Sequence, residues 1–424
     1  MEFLLARLKE ISKNQNTKIY IIGNFIRDFV LGTRGNCIDC IVQDKIEIIA
    51  TLFANEISSK AVTIDENNRT YKVVDITRDI TLNFSKMNGN RIEDDLMKRD
   101  FTINSLAIDV LDFDCNVLDE TKIIDPTSGL MDINREKIVY VYEDVFKDDP
   151  VRILKAVRLM SELGFDMDDR TKRKILSDKC FLKTIVNEKL TDELFQILRN
   201  KKTYYYFSFM DKHLNVLEEI FPEIIPMKDV GQCKYHVVNS FTHSLLTLKT
   251  LEEIIYHNAY FEEHVRESYE RHGNESITYE HTRLELIKLA AFFHDVGKPK
   301  AKKVDEAGRT RFKGHEIIGA EAIRSIAERL GLSLKEKDIL HDITAKHMIP
   351  LVLYKDNDVS GKALYSMFSD LKDNTLDVLL ISLSDIIATR KVLQPDEDMG
   401  KYKIHIEYLA NNYLTRFKES EKTI

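Results

Sequence analysis

The sequence predicts an α+β protein in which an N-terminal α/β part is followed by a long all-helical part. Short apolar runs at residues 18–23, 37–42 and 80–84 have the length and β-branched content of strands. From residue 148 onward, apolar residues recur at helical spacing instead. Because 424 residues exceed what one ordinary core accommodates, two to four domains are expected.

The composition of the chain indicates which partners and which cellular compartment to expect. The net charge of −8 argues against broad electrostatic capture of nucleic acid, although a local basic groove stays possible. No apolar run is long enough to cross a bilayer, and residues 1–12 resemble a surface helix rather than a signal peptide, which predicts no membrane partner and a cytoplasmic location. Five cysteines fit a reducing compartment, and Cys37 and Cys40 have no second pair with which to hold zinc.

The first strand and the helix that follows it predict a phosphate site. The strand at 18–23 ends in Gly23, and a short helix at 24–31 begins at once. The free backbone N–H groups at such a helix start can receive a triphosphate. Further motifs follow in order at 93–107, 125–132 and 148–158.

The strongest metal signal lies in the second half. An apolar helical run from Lys288 ends in adjacent His294 and Asp295, and Gly297 and Pro299 then stop the helix. A neighbouring imidazole and carboxylate on a stiff scaffold suit a divalent metal.

Further ligand types stand at helix-compatible places on both sides, namely His243, His315, His347 and Asp385. Five helices could therefore aim these side chains at one point. The alternative is that they are core or surface residues. His341 competes with His347, but at six positions apart the two point to different helix faces, so at most one is expected to be a ligand.

Together these motifs resemble the class II tRNA nucleotidyltransferase and poly(A) polymerase family, of the bacterial kind with a C-terminal HD domain. The resemblance implies a nucleotidyltransferase head at 1–130, a helical neck at 131–230, an HD metal-dependent phosphohydrolase domain at 231–395 and a helical tail at 396–424.

The resemblance also implies site residues. In the HD domain, a first metal would be held by His243, His294, Asp295 and Asp385. His315 and His347 would complete a second metal site with Asp295 bridging, and Lys298 would meet the substrate phosphate. In the head, Asp39 would be catalytic. Nucleotide binding would fall to Gly23, Arg27, Asp28, Arg99, Asp100, Asn104, Asp149, Arg152, Lys155 and Arg158. Asp149 and Arg152 would read the base edge, or else merely pair with each other.

The head departs from the family's pattern where its metal ions bind. The Asp-x-Asp pair reads Cys37-Ile38-Asp39, and Asn83 stands where a further acid is usual on the later strand. Because magnesium prefers oxygen ligands, a neutral thiol is a poor replacement for a carboxylate. The sequence thus predicts impaired nucleotide addition, unless another acid such as Asp28 or Asp44 reaches the site.

Three functions follow. The preferred one is an HD phosphohydrolase, a phosphodiesterase or phosphatase acting on nucleotides or RNA ends, with the head impaired. The alternatives are an active CCA- or A-adding tRNA nucleotidyltransferase and a non-catalytic RNA-binding or regulatory module. The expected cofactors are divalent ions (Mg, Mn, Ni, Co or Fe), with ATP or CTP as a possible ligand, and the expected partner is a tRNA 3′ end or a nucleotide.

Two further stretches carry weaker expectations. The basic and aromatic run at 199–207 is either a helix end with core aromatics or a surface that stacks on RNA bases. The charged stretch at 257–285 is expected to be a solvated extension whose histidines lie at the surface.

Overall fold

A computed structural model describes residues 1–33, 35–65, 69–117, 119–185, 188–230, 238–257, 260–393 and 400–418. The chain divides into two compact units, Met1–Asp178 and Lys179–Ile424. The predicted fold class is confirmed, because the first unit contains a mixed sheet with helices and the second is almost entirely helical. The four-part domain division stays a prediction, and its boundaries at 230/231 and 395/396 lie outside the described residues.

The main sheet of the first unit has six strands. They are β1 (Ile19–Ile22), β2 (Cys37–Val42), β3 (Ala61–Asp65), β4 (Thr70–Asp75), β5 (Ile80–Lys86) and β6 (Ala107–Asp109). Their order in the sheet is β3-β4-β5-β2-β1-β6. Only β2 and β5 pair in parallel, and this pairing sets Asp39 beside Asn83. A small second sheet pairs β7 (Lys137–Ile138) with β8 (Asp166–Met167).

Eight helices accompany these strands in the described part of the first unit. They are α1 (Glu2–Gln15), α2 (Asn24–Val30), α3 (Ile46–Glu56), α4 (Ile92–Leu96), α5 (Gly129–Asn134), α6 (Val145–Asp148), α7 (Arg152–Leu163) and α8 (Asp169–Asp178). Helix α1 is amphipathic and buries Leu4, Leu5 and Leu8. Helix α3 packs against one sheet face, where alternate strand residues such as Ile38, Val73 and Leu82 are fully buried.

The second unit is a set of packed helices. They are α9 (Glu188–Arg199), α10 (Thr203–Phe209), α11 (Leu217–Ile220), α12 (Ile224–Lys228), α13 (Ser240–Tyr256), α14 (Glu263–Gly273), α15 (Arg283–Phe293), α16 (Lys298–Ala301), α17 (His315–Arg329), α18 (Leu334–Lys346), α19 (Ile349–Asp356), α20 (Gly361–Leu371), α21 (Thr375–Leu393) and α22 (Gly400–Asn412). A two-stranded ribbon, β9 (Lys303–Val304) and β10 (Thr310–Arg311), precedes α17. Helix α15 lies at the centre, since nearly all of its residues are buried and it packs against α13 and α18. No helix among the described residues is long and apolar enough to cross a membrane.

The stretch 257–285 is only partly the solvated extension that the sequence predicted. It contains α14, and His264 on this helix is exposed as expected. Two other histidines instead contact carboxylates on distant helices. His272 Nε2 lies 2.6 Å from Asp377 Oδ1, and His281 Nδ1 lies 2.6 Å from Glu336 Oε1. Local charge density misled the prediction because the partners stand 105 and 55 residues further along the chain.

Candidate metal and nucleotide sites

The second unit brings all six predicted metal ligands together. His294 and Asp295 follow α15 directly, His315 begins α17, His347 ends α18, and His243 and Asp385 come from α13 and α21. All six are at least nine-tenths buried. Two groups of three have donor atoms within 4.8 Å of one another, one made of His243, His294 and Asp295 and the other of Asp295, His315 and His347. Asp295 is shared by both groups, and Asp385 Oδ1 lies 2.8 Å from His243 Nε2.

Three of the imidazoles are fixed in the tautomer that a metal requires. The Nδ1 atoms of His294, His315 and His347 lie 2.9, 2.9 and 2.7 Å from the carbonyl oxygens of Ala291, Phe312 and Thr344. Each Nδ1–H therefore donates to a carbonyl, and each Nε2 presents its lone pair to the cluster.

The donor set fits a divalent metal ion. The Nε2 atoms of His294 and His347 are buried and have no hydrogen-bond partner among the described residues. Buried polar atoms are almost always satisfied, so two imidazole nitrogens without a protein partner that are aimed at one cluster indicate a site for a cation. The Lys298 ammonium lies 2.5 Å from Asp295 Oδ2 and provides a counter-charge.

Protonation in the cluster also suits a cation. Burial, together with the neighbouring His294 and His315, lowers the pKa of His347 to about 3. Burial alone would raise the pKa of Asp295, but Lys298 and His294 hold it well below its usual range. Burial alone would lower the pKa of His294, but the neighbouring Asp295 and Asp385 raise it. A neutral His347 and an ionised Asp295 are the forms of these side chains that coordinate metals.

The competing histidine lies elsewhere. His341 is partly exposed and has Glu321 and Asp342 as its acidic neighbours, at 3.6 and 3.4 Å.

Gly297 explains how the cluster is assembled, because a Cβ at this position would lie 2.1 Å from the His315 carbonyl oxygen. Only glycine permits this approach of the chain after Asp295 to the start of α17.

The head site is open and poorer in carboxylates. Asp39 and Asn83 are neighbours on β2 and β5, and Asn83 Nδ2 donates to Asp39 Oδ1 at 2.9 Å and to Cys37 Sγ at 3.4 Å. Burial and the Asp39 charge raise the pKa of the Cys37 thiol, so Cys37 stays protonated at neutral pH. Cys40 faces the buried side of the same strand, which separates the two thiols of the CxxC spacing.

The head's donor set still fits a cation that arrives with its ligand. One carboxylate together with substrate phosphates is a common way to hold magnesium. The alternative acids, Asp28 and Asp44, have other surroundings. Asp28 pairs with Arg27 at 2.6 Å, and Asp44 lines a separate 570 Å³ cavity beyond the end of β2.

The predicted nucleotide-binding residues form two linked groups. Arg27 is buried and donates to Asn104 Oδ1 at 2.8 Å, while Gly23, with φ of 70°, lies beside the Asn104 carbonyl and the Arg99 guanidinium. Asp100 pairs with Lys155 at 2.5 Å. Burial alone would raise the pKa of Asp100, but the Lys155 ammonium lowers it to about 2.

The remaining members lie on or beside α7. Arg152 donates to the Tyr142 hydroxyl at 2.8 Å and lies 3.8 Å from Asp149. Arg158 pairs with Glu162 at 2.6 Å on the same helix. The aromatic run after Arg199 is mainly core, since Tyr206, Phe207 and Phe209 are buried and only Tyr205 is exposed.

The motif at 125–132 supports the others, a role that the sequence did not reveal. Asp125 accepts from the backbone N–H groups of Gly129 and Leu130 at 2.7 and 3.0 Å. A Cβ on Gly129 would lie 2.1 Å from the Thr102 carbonyl oxygen, and Thr102 donates to Asp132 at 2.7 Å. These contacts fix the segment between Asp100 and Asn104.

Known protein families match both the N-terminal and the C-terminal part of the chain. Residues 19–139 match the poly(A) polymerase head domain, and residues 240–390 match the HD domain. The chain is 26% identical over 390 residues to a CC-adding tRNA nucleotidyltransferase of Thermus thermophilus, covering 90% of this chain and 79% of that protein. It is 25% identical over 337 residues to an A-adding tRNA nucleotidyltransferase of Deinococcus radiodurans, covering 78% and 69%.

Solved structures share the fold. The Thermotoga maritima CCA-adding enzyme complexed with tRNA has a TM-score of 0.62 at 18% identity, covering 95% of this chain and 85% of that one. A tRNA-processing enzyme with CTP has a TM-score of 0.65 at 20% identity, covering 97% and 92%.

These relatives correct the preferred functional prediction. An HD phosphohydrolase with an impaired head is contradicted, because the similar proteins are CC-, A- or CCA-adding enzymes. The similarity to nucleotide-adding enzymes extends over most of the chain despite the loss of one head carboxylate. The chain thus combines a poly(A) polymerase head domain with a C-terminal HD domain, and the proteins it resembles are bacterial tRNA nucleotidyltransferases.

Proposed function

We propose that this protein is a tRNA nucleotidyltransferase that adds C or A nucleotides to the 3′ end of tRNA. The observation that carries the proposal is the similarity to a CC-adding tRNA nucleotidyltransferase over 90% of the chain. The preserved head supports it, because Arg27, Asn104, Asp100 and Lys155 form one connected network next to the Asp39 strand. A tRNA substrate also supports the cytoplasmic location expected from the sequence.

In the reaction, the tRNA 3′-hydroxyl attacks the α-phosphate of the nucleoside triphosphate and pyrophosphate leaves. Asp39 would help to hold a divalent ion, which would supply positive charge against the charge that develops on the phosphates. Asp149 offers an acceptor and Arg152 offers donors one helical turn apart, an arrangement suited to the edge of a base. Tyr142 orients the Arg152 guanidinium by accepting from it.

One further residue in the head, Asp95, has a positioning role in this proposal. Asp95 on α4 accepts from Arg99 at 3.2 Å and also from the Asn88 backbone, which orients the Arg99 guanidinium just after this helix. The HD cluster holds metal ions through His243, His294, Asp295, His315, His347 and Asp385. We also propose the division into head, neck, HD domain and tail.

The test uses tRNA transcripts that end before the CCA sequence or after CC, with labelled CTP or ATP and magnesium. We expect incorporation with at least one pair of substrates, and the pair that works separates CC addition from A addition. Asp39→Ala should reduce the rate by about a thousandfold, since it removes the only carboxylate on the paired strands β2 and β5.

Asp44→Ala is the matched control, because Asp44 follows the same strand but lines a different cavity. Its rate should stay near that of the unaltered protein. No incorporation with any substrate pair would refute the proposal. Loss in Asp44→Ala but not in Asp39→Ala would refute the assignment of the acid.

A further inference from the structure

The face of the sheet that carries Asp39 continues across two more strands. Along β2, β5 and β4, one face is buried and the other is at least partly exposed, except at Ile41 on β2. The pairing of β2 with β5 sets Asp39 beside Asn83, and the pairing of β5 with β4 sets Asn83 beside Lys72. These three side chains therefore form a row across the open face.

Lys72 is close enough to act on a ligand at Asp39. Adjacent strands lie about 4.8 Å apart, so β4 is about 10 Å from β2, and a lysine side chain spans roughly 6 Å of that distance. An electrostatic effect agrees with this placement. Burial and Asp39 raise the pKa of the Cys37 thiol, and the Lys72 ammonium opposes that rise.

The charge of Lys72 is available to a ligand. Its side chain is exposed, and no acidic group among the described residues lies within salt-bridge distance of it. The acidic charge of the row is small, because Cys37 and Asn83 are neutral and only Asp39 carries a carboxylate. An uncompensated ammonium beside a single carboxylate favours a ligand that carries more negative charge than Asp39.

We propose that Lys72 binds the phosphates of the incoming nucleoside triphosphate on this open face, next to Asp39. The inference rests on the proposed function and adds a binding residue to it. A lysine ammonium is a compact cation with three donors, and it suits phosphate oxygens. In this head it supplies positive charge to the triphosphate at a site that has few carboxylates with which to recruit cations.

The test compares Lys72→Ala and Lys72→Arg with Lys86→Ala, a control on the same sheet whose side chain belongs to the opposite face of β5. Direct binding of CTP, ATP and the corresponding monophosphates is measured by equilibrium dialysis, and steady-state transfer to tRNA is measured in parallel. Lys72→Ala should weaken triphosphate binding roughly tenfold, the effect of one charge-assisted contact. It should raise the KM for the triphosphate more than it lowers kcat.

Lys72→Arg should recover most of the affinity, and monophosphate binding and Lys86→Ala should change less than twofold. The inference is overturned if Lys72→Ala binds triphosphates as the unaltered protein does, or if only the KM for tRNA rises. The binding assay needs no turnover. A protein that binds triphosphates through Lys72 but transfers nothing would contradict the proposed function and leave the Lys72 assignment standing.

Discussion

At the scale of single residues, the head differs from a two-carboxylate metal site at two positions, Cys37 and Asn83. Cys37 presents a protonated thiol where a second carboxylate would complete Asp-x-Asp, and Asn83 donates to Asp39 instead of adding charge. A hard cation such as magnesium gains little from sulfur or from an amide NH₂ group. The site therefore depends on Asp39 and on oxygen atoms that the nucleotide brings.

This dependence predicts a gain of function. Cys37→Asp adds a carboxylate on the open face of β2, two residues from Asp39, and should increase magnesium-dependent incorporation at least about tenfold. The rate should also saturate at a lower magnesium concentration. Cys40→Ala is the control, because Cys40 lies on the buried face of the strand. A lower rate in Cys37→Asp would show that the thiol is required.

A second residue-scale prediction concerns acid stability. The folded pKa of Asp100 is about 2, below its ordinary value, because Lys155 outweighs the effect of burial. A depressed carboxyl pKa contributes stability above pH 4, and this contribution is lost as the pH falls from about 4 to about 2. Its size is about 2 kcal/mol.

Asp100→Asn should therefore be less stable than the unaltered protein at pH 6, and the difference should shrink towards pH 2. Thermal unfolding followed by circular dichroism from pH 2 to 6 measures this. Asp112→Asn, at an exposed site with only a 3.9 Å partner, should show no such trend. A pH-independent difference for Asp100→Asn would contradict the assigned ion pair.

At the scale of elements, the metal cluster depends on how closely the turn after α15 approaches α17. There is no room for a side chain at Gly297, because a Cβ at this position would lie 2.1 Å from the His315 carbonyl oxygen and 2.5 Å from the Gly319 nitrogen. Both contacts are with backbone, so a rotamer change cannot relieve them. Any larger residue must move α17 and with it His315.

Gly297→Ala should destabilise the second unit by about 3 kcal/mol and weaken metal binding at the cluster. Chemical denaturation and metal titration measure the two effects. Gly361→Ala is the matched control, since a Cβ at that helix start meets nothing within 4 Å. It should be neutral or slightly stabilising. Equal effects in the two variants would remove the steric explanation.

Much of the secondary structure was predictable because local patterns determine it. The strand at 37–42 was predicted with its observed limits, and Gly and Pro correctly ended the helix before Asp295. The failures involve distant partners. Lys288 interrupts an apolar run because its buried ammonium donates to the carbonyl oxygens of Leu198 and Asn200, about 90 residues away. Nothing near Lys288 in the sequence indicates this.

The candidate sites show the same contrast between local signals, which the sequence reveals, and distant contacts, which it does not. The metal ligands were named from spacing and family resemblance, and the structure brings them together. Lys72 was missed because β4 was not recognised as a strand, and a residue's place on a sheet face is known only once the pairing is known. The supporting role of Asp125 and Asp132 likewise depends on contacts with Thr102.

At the scale of the whole molecule, the two units have separate cores and carry different candidate sites. The open face with Asp39 belongs to Met1–Asp178, and the buried histidine cluster belongs to Lys179–Ile424. A metal that binds the folded cluster and not the unfolded chain stabilises only the unit that contains it, by about 2.7 kcal/mol at a hundredfold excess over Kd.

Adding manganese to metal-free protein should therefore slow hydrogen exchange in α13, α15, α17, α18 and α21, which supply the ligands, and raise the unfolding temperature of the second unit. Exchange in the sheet should change little without nucleotide, because one carboxylate binds a divalent ion weakly. Asp295→Asn keeps the shape of the side chain but removes the charge shared by both ligand groups, so the manganese response should disappear. Persistence of the response in Asp295→Asn would place the ion elsewhere, since Asp295 is the one residue common to both groups.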